Sequence, residues 1–223
     1  MSKARNSMGW RARSTLFALA LAVCLAGLGV GRAAAAGGTG LFGATETRGD
    51  NLLMFGKWDG VLARMRETPE PFDDSCEGPG ARCHLKEWNA FLLSIKDKDK
   101  MAQLEAVNDY MNKFPYIEDV VNWGKEDYWE TPLEFLQFSG DCKDYAIAKY
   151  MSLRFLGWPI DELRLVVVQD LNLHLGHAIL VAYIDGKTIA LDNQIKHLIN
   201  TQNIHHYRPV YAVNESHWWL FRS

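Results

Sequence analysis

Ala178 to Ile184 is apolar on both alternating faces, Asp185-Gly186 follows, and Lys187 to Leu191 returns as a second strand-like run. An Asp-Gly pair between two such runs is a strong signal for a two-residue β-hairpin, because both turn positions need positive φ. No other feature restricts the fold as tightly, since the turn sets the register and the register sets the face each side chain takes. Ile184 then pairs with Lys187, and counting back brings Ile179 opposite Asp192. Opposed residues share a face, and so do residues two apart on one strand. His177 and Asp192 are therefore diagonal neighbours, within reach of a hydrogen bond. One extra turn residue would put them on opposite faces.

The rest of the chain supplies helices first and strands second. Leu85, Trp88, Phe91, Leu92 and Ile95 fall on one helix face, and Leu104, Val107, Met111 and Phe114 on another. The charged run Lys96 to Lys100 reads as a solvated helix end or turn. Thr131-Pro132-Leu133-Glu134 is a capping box with proline at the first helical position, opening a short helix to about Phe138. Ser139-Gly140-Asp141 breaks it, and either polar residue can cap a helix from Cys142 to about Phe155. Gly157 and Pro159 end that helix. Leu163–Val168, Tyr207–Val213 and Trp218–Phe221 read as further strands. Helices packed on a mostly antiparallel sheet make an α+β fold.

Cys142 opens its helix, where the macrodipole favours thiolate over thiol. A thiol, an imidazole and a carboxylate form a nucleophile, base and orienter set, here Cys142, His177 and Asp192. Each also has a plain structural reading. A single Cys is often a buried core thiol, a His on an apolar strand is often a satisfied core residue, and Asp192-Asn193 is ordinary turn chemistry. The Cys142 backbone N–H is the natural oxyanion donor, with Gln137 or Asn122 as side-chain candidates. His174, His205 and His206 show no metal-ligand spacing and read as surface residues. Trp123, Tyr128, Trp129, Trp218 and Trp219 read as core or groove wall.

The first 36 residues lie apart from this pattern. Lys3, Arg5, Arg11 and Arg13 precede the apolar stretch Leu16–Val30, and Ala33–Ala36 offers small residues for cleavage. This is the plan of a secretory signal peptide, cut near Ala36, and its apolar stretch is short of the ~20 residues of a bilayer span. Residues 37–50 are rich in Gly and Thr and read as a flexible lead-in, and 51–223 as one domain. Loss of the five basic residues in 1–36 takes the net charge from −3 to −8, which disfavours nucleic acid as a partner. The expected location is the periplasm or the medium. There, Cys76 and Cys83, flanking a Gly/Pro loop, are expected to form a disulfide; His84 alone makes a weak case for a metal site.

Gly140-Asp141-Cys142-Lys143-Asp144-Tyr145-Ala146-Ile147-Ala148-Lys149-Tyr150, then Gly176-His177-Ala178, then Leu191-Asp192-Asn193, resembles the bacterial transglutaminase-like cysteine peptidases, including the LapG-type periplasmic adhesin proteases. The resemblance runs from about Leu85 to the C-terminus. It implies a papain-like, transglutaminase-like fold and a Cys-His-Asp triad. In the adhesin-cleaving members it also implies calcium dependence, release of large surface adhesins that control biofilm attachment, and sequestration by an inner-membrane cyclic-di-GMP receptor. Asp141 and Asp144 are the candidate calcium ligands. One departure stands out. The adhesin-cleaving pattern has an acidic residue directly after the Cys, whereas this chain has Lys143, whose ammonium opposes a cation. Two alternatives to peptide hydrolysis fit the same residues: transfer of the thioacyl group to an amine, which crosslinks proteins, and a non-catalytic scaffold that binds an envelope partner.

Overall fold

The computed structural model describes residues 40–67 and 81–222. The proposed leader 1–36 and the Cys76–Cys83 pairing lie outside the described residues. Helices α1 (Gly56–Glu67), α2 (Ala81–Ile95), α3 (Lys100–Met111), α4 (Asp119–Trp123), α5 (Pro132–Phe138) and α6 (Cys142–Phe155) come before most of the sheet. The strands are β1 (Thr45–Gly49), β2 (Leu163–Asp170), β3 (Leu175–Ile184), β4 (Lys187–Leu191), β5 (Ile199–Asn200), β6 (Tyr207–Val213) and β7 (Trp218–Arg222). They form one antiparallel sheet in the order β1-β7-β6-β2-β3-β4-β5. This is the α+β layout of helices followed by an antiparallel sheet.

Period-two side-chain alternation divides the interior into two layers. Leu163 and Leu165 of β2, with Leu180, Ala182 and Ile184 of β3, face a core built on Ala146, Ile147, Tyr150 and Leu153 of α6. Val166 and Val168, with Ile179 and Val181, face the other side and pack with Leu41, Tyr207, Ala212 and Trp219. α6 is buried from Lys143 to Leu153, so it is the central helix. A third cluster joins it to α2 and α5 through Trp88, Phe135 and Tyr145. Burying whole tryptophans requires partners for their N–H groups. Trp88 donates to Ser152 Oγ at 2.9 Å, and Trp158 to Gln103 Oε1 at 2.7 Å.

The hairpin has the register its turn demands. Ile184 pairs with Lys187 and Leu180 with Leu191, with Asp185 and Gly186 both at positive φ. Thr131 caps α5 in a full capping box with Glu134, and Asp99, at the end of the charged run, caps α3. Within the lead-in read over 37–50, residues 40–50 are ordered into structure. Leu41 is buried, and Thr45–Gly49 forms an edge strand on β7. Thr-Glu-Thr-Arg-Gly has no apolar face to announce a strand. Backbone pairing holds it, with Glu46 bound to Arg164 at 2.8 Å and Gly49 leaving room for the Trp218 ring. Among the described residues no helix is long and apolar enough to cross a membrane.

Candidate active site

The N-terminus of α6 is built from a capping box. The Asp141 carboxylate accepts the Lys143 N–H at 3.2 Å, and Asp144 Oδ2 accepts the Asp141 N–H at 3.0 Å. Asp144 Oδ1 also takes the Glu130 N–H at 2.9 Å, tying the helix to the segment before α5. Gly140 is needed here for space: a Cβ would lie 2.6 Å from Asp144 Oδ2 and 2.9 Å from Glu130 Oε2. Its carbonyl accepts the Ile117 N–H at 2.9 Å, which brings the exposed Tyr116 ring alongside the start of the helix.

Cys142 is a free, partly exposed thiol at the first position of this helix, and the Ala178 N–H of β3 donates toward it. The helix therefore meets the sheet one residue from His177. Burial and the neighbouring Asp141 carboxylate push the thiol up to about 12, against the weaker opposing pull of Ala178 and Lys143. The dipole argument for a resting thiolate is outweighed by desolvation and by the acidic cap. A thiol in this setting needs a base to take its proton.

His177 Nε2 lies 2.9 Å from Asp192 Oδ1, and both side chains are buried. Although burial opposes it, the hydrogen bonds from His177, the Gln194 N–H and Tyr207 hold the Asp192 carboxyl below its ordinary range. The ionised carboxylate can only accept, so Nε2 carries the proton and Nδ1 keeps its lone pair. Gln194 N–H donates to Asp192 Oδ1 at 2.9 Å and Tyr207 Oη to Oδ2 at 2.8 Å. Gln194 Nε2 stands 3.4 Å from His177 Nδ1.

Beside the thiol is a buried ionic cluster. Asp119, Asp141 and Asp144 each offer an oxygen within 4.8 Å of the others. The Lys143 ammonium lies among them, at 2.7 Å from Asp119 Oδ2, 2.7 Å from Asp141 Oδ1 and 3.2 Å from Asp144 Oδ2. These carboxylates raise the Lys143 pKa above its ordinary value despite the opposing cost of burial. Asp119 Oδ2 also accepts the Tyr128 N–H at 2.8 Å. Glu130 lies close by, its carboxyl pushed up to about 7 by burial.

The residues singled out in the sequence thus converge on one place: Cys142 at the helix tip, His177 and Asp192 on the sheet, Asp141 and Asp144 in the cap. Asn122 does not offer a free amide, because it binds the Ser139 carbonyl at 2.7 Å and the Phe138 carbonyl at 3.3 Å. Gln137 is exposed on α5. His174 and His205 are exposed and His206 half-buried. Asp119, Glu130, Gln194 and Tyr207 are additional to the sequence reading. Gln194 follows Asp192 by two, the spacing of an Asx turn, and that signal was available. Asp119 and Tyr207 are reached only by tertiary folding.

A family model described as bacterial transglutaminase-like cysteine proteinase matches residues 63–220. The fold is similar to that of calcium-bound LapG from Legionella pneumophila, with a TM-score of 0.59 and 28% identity over 73% of this chain and 86% of that one. An EGTA-treated form of the same protein matches with a TM-score of 0.59 and 28% identity, over 74% of this chain and 86% of the other. No curated protein matches at a significant level.

Proposed function

The chain belongs to the bacterial transglutaminase-like cysteine proteinases and is a cysteine peptidase, and we propose that Cys142, His177 and Asp192 carry its chemistry. The observation behind this is the 2.9 Å His177–Asp192 hydrogen bond, one residue from the amide that meets the Cys142 thiol. Cys142 Sγ attacks the peptide carbonyl as its proton passes to His177 Nδ1. The tetrahedral oxyanion forms against the Cys142 N–H, an amide with no intrahelical acceptor at the first helical position. His177 then gives its proton to the leaving amine. A water, deprotonated by the same Nδ1, hydrolyses the thioester and frees the thiol. Asp192 holds the tautomer and balances the imidazolium.

A peptidase acts on protein. Tyr116, Val120, Val121 and Phe138 are exposed apolar side chains near the start of α6, and Leu171, Leu173 and Leu175 are exposed on the connection leading to His177. Apolar surface on these segments suits an extended polypeptide with apolar residues around the scissile bond. Residues 1–36 direct export, and in the exported protein Cys76 and Cys83 pair; intact mass before and after reduction tests that bond. The resemblance of Gly140–Tyr150, Gly176–Ala178 and Leu191–Asn193 to the LapG-type proteases, Lys143 apart, supports a large cell-surface adhesin as substrate, hence a role in biofilm attachment, and an inner-membrane cyclic-di-GMP receptor as regulator. The test is to compare the exported and surface-retained proteins of cells carrying the wild type and Cys142→Ala. A fragment that disappears from the medium with Cys142→Ala, while its parent accumulates on the cell, identifies the substrate. Unchanged cleavage by purified Cys142→Ala or His177→Ala would falsify the residue assignment.

A further inference from the structure

We infer that the Lys143 ammonium is a resident cation that takes the place of calcium in the carboxylate cluster beside Cys142, so that this enzyme needs no divalent ion. The inference rests on the peptidase reading for its consequence, though its geometry stands without it. Calcium takes about six to eight oxygens at roughly 2.3–2.6 Å. The middle of the Asp119, Asp141 and Asp144 group is already filled by nitrogen at 2.7, 2.7 and 3.2 Å. An ion placed there would coincide with the ammonium.

The oxygens are also committed elsewhere. Asp144 accepts the Glu130 and Asp141 amides, Asp141 accepts the Lys143 amide, and Asp119 Oδ2 accepts the Tyr128 amide. Asp119 Oδ1 and Glu130 Oε2 have no hydrogen-bond partner among the described residues, which is too few for a calcium shell. Nor is Lys143 free to withdraw. Its side chain is only 7% exposed, and leaving would strand buried carboxylates without a counter-charge. LapG from Legionella pneumophila has both calcium-bound and EGTA-treated structures; here the cation is covalently part of the chain and no chelator can remove it.

Its position gives it an effect on chemistry. Lys143 is the peptide neighbour of Cys142 and links α4, through Asp119, to the cap and first turn of α6. Lys143 is thus a positioning residue for the thiol. It does not touch the reacting atoms.

The experiment uses the purified exported protein and calcium chloride as the probe. For wild type, calorimetric titration should show no calcium binding, and thermal unfolding should be the same in EGTA and in millimolar calcium. Lys143→Glu removes the ammonium and adds a carboxylate. It should bind calcium, unfold at higher temperature with calcium than with EGTA, and regain with calcium the rate of Cys142 alkylation that it loses without it. Rescue of Lys143→Glu but not of wild type separates positioning of the thiol from general destabilisation. Calcium binding by wild type, or a lower unfolding temperature in EGTA, overturns the inference. If Lys143→Glu does not fold, the wild-type measurements decide alone. None of these readouts needs a substrate, so they stand or fall apart from the peptidase assignment.

Discussion

Tyr207 Oη donates to Asp192 Oδ2 at 2.8 Å, on the carboxylate oxygen opposite the one that holds His177. A strand near the C-terminus therefore completes the hydrogen-bond shell of Asp192, the proposed orienter of the base. Tyr207→Phe removes one hydrogen bond from a buried ionised carboxylate and leaves the ring in place. We expect kcat to fall by about tenfold with KM little changed, since such a bond is worth about 1–3 kcal/mol. The Asp192 pKa is depressed in the fold, so the stability it contributes is present above the unfolded carboxyl pKa and lost as pH falls through the folded one. The unfolding-temperature difference between wild type and Tyr207→Phe should be widest at neutral pH and close below about pH 4. A difference that does not vary with pH would mean that Tyr207 acts through packing alone.

That contact also marks the limit of what the sequence reveals. The His177–Asp192 pair was legible because a two-residue turn makes strand pairing a matter of counting. Helices α2, α3, α5 and α6 were legible from apolar spacing and from Thr131 and Asp141 caps, which act within a turn of themselves, whereas α1 and α4 were not read. Tyr207 and Asp119 were not, because each reaches the site across a separation that no local period encodes. β1 was missed for another reason: Thr45–Gly49 is held by pairing with β7, and its own residues are nearly all exposed.

The Cys142 thiol is pushed up to about 12 by burial and Asp141, so its reactivity at neutral pH should depend on His177. Alkylation of wild type by iodoacetamide, followed by peptide mapping at Cys142, should proceed readily near neutrality. In His177→Ala the thiol loses its proposed base, and its alkylation should slow by at least about tenfold near pH 7 and climb only in the strongly alkaline range. Identical profiles for the two proteins, centred near the free-cysteine value of about 8.5, would show that neither burial nor His177 governs the thiol.

Lys149 is fully buried on α6 and its ammonium has no hydrogen-bond partner among the described residues. Burial lowers its pKa to about 7, with Asp192 and Asp109 opposing. A lysine shifted down destabilises the fold most below the folded pKa, and the penalty fades as pH rises toward the unfolded value of about 10.4. Lys149→Met keeps the volume and discards the charge. We expect it to stabilise the protein, by on the order of 5 kcal/mol at most below about pH 7, with the gain vanishing above about pH 10. Denaturant unfolding across that range checks it; a gain that grows with pH would be the wrong sign.

Gly140 has no room for a side chain between Asp144 and Glu130. Gly140→Ala should push the α6 cap away from the segment before α5, lowering the unfolding temperature and slowing Cys142 alkylation together. Retention of both in Gly140→Ala would show that the cap yields without disturbing the thiol.

Lys143, held among three aspartates, has a consequence for what the enzyme can perceive. A bound metal exchanges with the medium, so its occupancy carries news of the surroundings to the site it supports. A side chain has no off-rate and reports nothing. On the proposal that the ammonium replaces calcium, the thiol is assembled when the chain folds and stays assembled whether the cell meets hard water or soft. Decisions about when to cut then fall to whatever controls access to the cleft or the supply of the protein itself.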